Sequence, residues 1–390
     1  MILVLFFIWR IFLFIPLLLG EKLLTFRTGY EYTHLWKFVE PYAPVDHVLL
    51  YPWANFDGIH YLLIAGQGYT NNLGFLPFFP TLIHSVASLF GGGEPFGAAQ
   101  FFTGLFLANL FFLASLYLIF KLLRLDYSVA KSYQVIVFLL AFPTSFFFGS
   151  IYSESIFLLL TLAAFYFARK KQWVLVSIAG FFLAITRIVG IFILPALIIE
   201  FFQQEKVIHR WKALTVRERL QLFFKFLPLC FVPLSIMAYA FYNYLQKGDY
   251  LYFLHAHGNL GNGRAVDAVI SIPQTVYRYG KILFSVPVAQ FEWWIGLLEI
   301  STFFIVLLLL VLAIKKKVRL SYIVFSCLCF LLPVLSGTFS GLPRYSVILF
   351  PIFITLMLIK SKVVKVFYII ISTILLFILL MFFSKGYFIA

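Results

Sequence analysis

Asp57 is an acid set among aromatic side chains, in the run Tyr51-Pro52-Trp53-Ala54-Asn55-Phe56-Asp57-Gly58-Ile59-His60-Tyr61. A carboxylate in that setting can orient, or take a proton from, an attacking sugar hydroxyl. Apolar surroundings would raise its pKa toward a useful range. A structural reading competes: Asp57 precedes an expected helix over Ile59–Ala65, and Asp is a good N-cap. His60 lies one helical turn on, either as a second polar contact or as an interfacial histidine with no ligand role.

Arg187 and Arg344 stand in Thr186-Arg187-Ile188-Val189-Gly190 and Pro343-Arg344-Tyr345. Both interrupt long apolar stretches, where ionisable residues are costly and usually face a cavity or the bundle interior. The planar fork of an arginine suits a phosphate. The alternative is a snorkelling anchor beside Tyr345 in an aromatic belt. Glu154, in Tyr152-Ser153-Glu154-Ser155, follows a strong break, and its negative charge suits the N-terminus of the next helix. His255, His257, Asn262 and Arg264 fall in one polar run, Phe253–Arg264. Two histidines two residues apart are a weak metal signal, and no further Cys, His or carboxylate spacing completes a metal site. Polar loop contacts to a sugar are the milder reading. The chain has no Walker loop, GxSxG elbow, HExxH or nucleotide-binding GxGxxG, so a cytosolic nucleotide-sugar site has no sequence support.

The elements that must position these residues are membrane helices. The chain is 63% hydrophobic, with a mean hydropathy of +1.00. Its apolar residues come in blocks such as Ile2–Leu19, Phe101–Phe120, Phe226–Leu245 and Ile300–Ile314. A soluble domain could not hide that surface, whereas about 20 apolar residues suffice for one crossing. The first block has neither a small-residue cleavage site nor a charged leading region, so it reads as a retained helix rather than a signal peptide.

The net charge of +15 follows the positive-inside rule rather than indicating a nucleic-acid partner. Nearly two-thirds of the 30 lysines and arginines lie in five short gaps: 121–131, 169–171, 206–225, 315–319 and 360–365. If all five face the cytoplasm, each block between them must cross an even number of times. Cys230, Cys327 and Cys329 all sit in apolar blocks, which argues against a disulfide framework. No Asn-x-Ser/Thr sequon occurs, which fits poorly with a glycosylated secretory protein.

This bookkeeping predicts an all-α polytopic membrane protein of one domain, 1–390, with about 11 transmembrane helices. Residues 21–97 form a first extracytoplasmic loop with amphipathic helices, and 246–292 form a second. The run Phe75–Phe90 is read as interfacial; if it spans, the count becomes 12 and the N-terminus changes side. Asp57, His60, Tyr152, Glu154, Arg187, His255, His257 and Arg344 then all fall on the non-cytoplasmic face.

Taken in order, these segments resemble the PIG-V-like mannosyltransferases, a branch of the GT-C superfamily. The resemblance rests on Phe56-Asp57-Gly58-Ile59-His60-Tyr61 and Ile64-Ala65-Gly66-Gln67-Gly68-Tyr69. It continues through Phe75-Leu76-Pro77-Phe78-Phe79-Pro80, then Phe142-Pro143-Thr144-Ser145-Phe146-Phe147 running into Tyr152-Ser153-Glu154-Ser155. Thr186-Arg187-Ile188-Val189-Gly190 and Pro343-Arg344-Tyr345 complete the set. Phe56 stands where the family often has Trp, Leu76 and Phe79 replace Phe and Tyr, and Ile188 replaces a proline.

The resemblance implies transfer of mannose, with inversion, from a polyprenyl- or dolichyl-phosphate donor to a glycan, glycolipid or protein acceptor. It assigns the catalytic acid of the first outer loop to Asp57. The carrier phosphate would meet Arg187 and Arg344, and His60, Tyr69 and Glu154 would shape the sugar pocket. His257, Arg264 and Tyr345 join them as expected substrate contacts. No metal or other cofactor is demanded and no nucleic-acid partner is expected. A short, Phe- and Lys-rich chain without sequons points to a prokaryotic plasma membrane with an outward site; in a eukaryote it would be the endoplasmic reticulum membrane. The competing classes are a flippase of lipid-linked glycans, which needs polar residues through the midplane, and a non-catalytic subunit of a glycan-assembly complex.

Overall fold

A computed structural model describes residues 1–39, 46–70, 72–207, 211–256, 258 and 264–389. Among these residues every regular element is helical. The first helix, α1 (Ile2–Phe12), runs almost unbroken into α2 (Phe14–Leu23). The loop that follows carries α3 (Asp57–Gln67) and α4 (Phe78–Ser88). Then come α5 (Ala98–Leu123), α6 (Val129–Ala141), α7 (Glu154–Arg169), α8 (Trp173–Ala184) and α9 (Ile193–Gln204). After a basic stretch, α10 (Val216–Phe226) continues through a tight turn into α11 (Val232–Lys247). A second polar segment holds α12 (Tyr252–His255) and α13 (Ile272–Ser285). The remainder is α14 (Phe291–Lys315), α15 (Leu320–Val334), α16 (Leu342–Ser346), α17 (Pro351–Leu358) and α18 (Lys362–Ser384).

Among the described residues five helical stretches are long and apolar enough to cross a bilayer: Ile2–Leu23, Ala98–Leu123, Val216–Lys247, Phe291–Lys315 and Lys362–Ser384. Four more, Val129–Ala141, Trp173–Ala184, Ile188–Gln204 and Leu320–Val334, are apolar but shorter. At 1.5 Å per residue a helix of about 12 residues covers roughly 18 Å, against about 30 Å of hydrocarbon. These shorter helices are partly buried but keep exposed apolar residues, among them Val174 and Ile178 on α8 and Leu320 on α15.

The long helices sort their faces as lipid requires. On α5, Phe102, Phe106, Leu110 and Tyr117 are exposed at multiples of roughly one turn, while Ala108, Phe112, Ser115, Leu116 and Ile119 are buried. An exposed apolar stripe of that kind marks a membrane-facing surface. The chain is an integral membrane protein.

The run Phe75–Phe90 forms the 11-residue α4, far too short to span. With Phe79, Ile83 and Ala87 inward and Thr81, His84 and Ser85 outward, it is amphipathic and lies against α3 and α5. The expected helix after Asp57 is longer than Ile59–Ala65: it begins at Asp57 itself, so that residue is not the N-cap.

Four of the basic gaps meet at one end of the bundle. Arg169 donates to both oxygens of Asp126 (2.6 and 2.7 Å) and Glu205 pairs with Lys171 and Lys225. Glu200, fully buried on α9, accepts from Arg319 Nε and Ser321 Oγ, each at 2.6 Å. α7 connects that end to the other, its 16 residues carrying the chain about 24 Å from Arg169 back to Glu154.

Glu200 lies beneath several donors, so its removal leaves the Arg319 guanidinium without its counter-charge. Glu200→Ala is expected to cost about 3 kcal/mol, read as a lower unfolding temperature in detergent. Lys171→Ala, which breaks an exposed pair, should cost less than about 1 kcal/mol.

Candidate active site

Asp57 opens α3, and the residue before it is strained. Phe56 has φ +58, a region costing a non-glycine residue about 1–3 kcal/mol. Tertiary contacts hold it there. Its N–H donates to Thr33 C=O (2.9 Å), and its ring packs on Phe383 and Phe388 at 5.3 and 5.8 Å. Tyr152 fixes the next backbone group: its hydroxyl accepts from Asp57 N–H (3.2 Å) and donates to Asn55 C=O (2.7 Å).

Three other elements bring charges to this point. Glu154 opens α7 and is 1% exposed. Arg187 lies in extended backbone ahead of the short turn 188–192. That turn needs a glycine, because a Cβ on Gly190 would sit 2.1 Å from Leu183 C=O. Arg344 belongs to α16, which begins after Gly341 at φ +75. Gly341 N–H donates to Glu299 Oε1 (3.2 Å), Tyr279 Oη donates to Glu299 Oε2 (2.5 Å), and Thr144 Oγ1 donates to Pro343 C=O (2.8 Å).

The charges interlock. Arg344 Nη1 lies 2.8 Å from Asp57 Oδ2, and its Nε lies 3.1 Å from Glu154 Oε1, without hydrogen-bond alignment. Glu154 also pairs with Arg187, whose Nη1 donates to Ser153 Oγ (3.3 Å). Ser153 Oγ accepts from Tyr61 Oη (2.9 Å). The Tyr345 ring has three guanidiniums around it, those of Arg264, Arg187 and Arg344 at 4.9, 5.4 and 5.4 Å.

Burial alone would push the Asp57 carboxyl up, as its apolar setting in the sequence suggests. Arg344, then His60 and Arg187, outweigh that and hold it below its ordinary value. The expectation of a raised pKa is therefore overturned: the sequence neighbourhood is apolar, but the spatial one is cationic. Burial pushes His60 down despite the pull of Asp57.

A cavity of about 490 Å³ opens on this cluster. Its polar wall includes Asp57, Tyr61, Arg187, Arg264, Arg344 and Tyr345, and much of the rest is apolar, from Leu76 and Val189 to Leu332 and Ile348. The expected contacts Asp57, Arg187, Arg264, Arg344 and Tyr345 thus converge.

Three others do not reach the cavity wall. His60 stacks on Phe75 (4.8 Å). Tyr69 donates to Phe75 C=O (2.6 Å), holding the loop before α4. Glu154 lies behind the two arginines and pairs with both. His255 pairs with Asp249 (2.6 Å) and is not part of the cavity wall, and His257 lies outside the described residues. Among the described residues no three His, Cys, Asp or Glu side chains gather to hold a metal ion.

Sequence reasoning missed Glu299, Tyr279, Ser153 and Tyr61. Glu299 carried a usable signal: a lone acid inside the apolar run Ile295–Ile300 of a crossing helix.

Fold and site together define an integral membrane protein with a carboxylate–guanidinium centre beside a largely apolar cavity. The profile of the family Mannosyltransferase (PIG-V) matches residues 43–302, a span holding Asp57, Glu154, Arg187, Arg264 and Glu299. The chain belongs to this family. Among curated proteins no sequence matches it.

Tyr152→Phe deletes the hydroxyl between Asp57 N–H and Asn55 C=O, leaving Asp57 N–H unpaired and Asn55 C=O with only the longer bond from Gly58 N–H (3.4 Å). The expected cost is about 1–3 kcal/mol, measured by thermal unfolding of the purified protein.

Proposed function

We propose that this mannosyltransferase-family chain moves a mannosyl group, with inversion, from a polyprenyl-phosphate carrier to a hydroxyl of an extracytoplasmic glycan, glycolipid or protein. The observation that carries the reading is the Asp57–Arg344 pair at 2.8 Å on the wall of a cavity whose other surfaces are largely apolar. A lipid-linked donor needs both an apolar berth and cationic groups for its phosphate.

In the proposed step the acceptor O–H gives its proton to the Asp57 carboxylate. The acceptor oxygen bonds to C1 of the sugar from the face opposite the phosphate. The bond from C1 to the phosphate oxygen breaks, and the lipid phosphate leaves with the electron pair. Guanidiniums around Tyr345 stabilise that anion. One displacement gives one inversion. Glu154 holds Arg187 and Arg344 in position, and the apolar wall takes the first units of the carrier chain.

The proposed frame is a single GT-C-like domain, 1–390, of about 11 crossings, with loops 21–97 and 246–292 on the outward side of a prokaryotic plasma membrane. It is supported by the basic gaps meeting at the end of the bundle opposite Asp57.

Purified protein given a polyprenyl-phosphate mannose should release free lipid phosphate and a glycosylated acceptor. Movement of the lipid between vesicle leaflets without cleavage would replace the enzyme with a flippase. Asp57→Asn should stay folded and lose about 10²–10⁴-fold in turnover; an inert assembly subunit would keep its cellular phenotype with this change.

The pH dependence has a definite sign. The charged form of Asp57 is the working form and its pKa is depressed, so activity is present at neutral pH. It is lost only as pH falls below the ordinary carboxylate range. Arg344→Ala removes the main cation holding the carboxylate ionised. The acid limb of its rate profile should therefore move to higher pH, alongside weaker donor binding.

A further inference from the structure

We infer that Arg264 is the group that takes the charge of the carrier phosphate, an assignment that rests on the lipid-phosphate reading above. The other two arginines in the cavity already have counter-charges. Arg344 is matched by Asp57 and Arg187 by Glu154, so these four groups sum to zero. What these two give a phosphate is hydrogen-bond donors rather than uncompensated charge.

Arg264 lines the same cavity and, among the described residues, pairs with no carboxylate. Its Nη2 donates to Ser340 C=O (2.6 Å), while its Nε is buried with no hydrogen-bond partner. Glu299, the acid behind it, is engaged by Tyr279 Oη and Gly341 N–H instead. Asp267 also borders the cavity, but its side chain is 84% exposed at the rim and lies 3.8 Å from His255 Nε2. Arg264 is therefore the arginine of the inner cavity wall that, among the described residues, has no ion pair of its own, and it can meet an anionic phosphate without displacing a carboxylate.

Two further features suit the role. The guanidinium faces the Tyr345 ring at 4.9 Å, which fixes its plane and leaves donors directed elsewhere. Val266 and Val269, close behind it in sequence, line the cavity as well, so the cation adjoins apolar wall. A lipid phosphate has this same junction of charge and hydrocarbon.

The test uses the full chain in nanodiscs and compares binding of polyprenyl phosphate with that of the uncharged polyprenol. Wild type should prefer the phosphate, and the preference should weaken with salt. Arg264→Gln should lose roughly 10- to 100-fold of it, the worth of a charged hydrogen bond, while still binding polyprenol. Arg264→Met keeps an aliphatic stem over the Tyr345 ring and serves if the glutamine variant does not fold. A wild-type preference that survives both substitutions would overturn the role of Arg264. No preference in wild type would instead remove the lipid-phosphate reading on which it rests. Inorganic phosphate should compete far more weakly than the lipid; equal competition would sink the view that the cation and apolar wall act as one site.

Discussion

Two carboxylates and three guanidiniums share one small volume in a protein that is otherwise strongly apolar. An isolated charge at that depth is costly, and breaking a buried pair leaves the survivor uncompensated. Each charge comes from a different part of the chain: Asp57 from α3, Glu154 from α7, Arg187 from the turn after α8, Arg264 from the second polar segment and Arg344 from α16. Correct packing of these elements brings Asp57 and Glu154 to Arg344 and Arg187, with Arg264 beside them. The same pairing that makes the site possible therefore helps specify how the helices assemble.

The cluster is held by groups that do not touch the cavity. Glu154 bridges two arginines from behind, and Glu299 reaches from a crossing helix to fix the backbone where α16 begins. Tyr152 ties the backbone of Asp57 to that of Asn55, and the strained Phe56 is pinned by the C-terminal Phe383 and Phe388. Rigid backing suits a site in which the attacking and leaving oxygens must approach one carbon from opposite sides. In the proposed reaction Asp57 stays ionised because its counter-charge is next to it, so the carboxylate is ready to accept a proton at neutral pH.

Much of this was legible before any coordinates. Runs of apolar residues announced membrane helices, the basic gaps announced a shared end, and the polar interruptions singled out Asp57, Arg187 and Arg344. What the sequence did not display is what stands opposite each side chain. Glu154 opens a helix, as its position suggested, and in addition it pairs with two arginines. His60 lies in the motif that contains Asp57 and Tyr69 in the one after it, yet their rings turn to Phe75 and the loop before α4. Glu299 passed unremarked because one acid in a long apolar helix has no periodic pattern to display it.

By itself the sequence determined the solvent of this protein, the all-helical class and the identity of the charged groups. These follow from hydropathy and from the rarity of ionisable residues in apolar runs, both properties of local composition. Which charge meets which, and hence the sign of the shift at Asp57, was decided only by tertiary structure. Electrostatic energy depends on distance in space, and Asp57, Glu154, Arg187 and Arg344 are brought within a few ångströms only when helices far apart in the chain pack together.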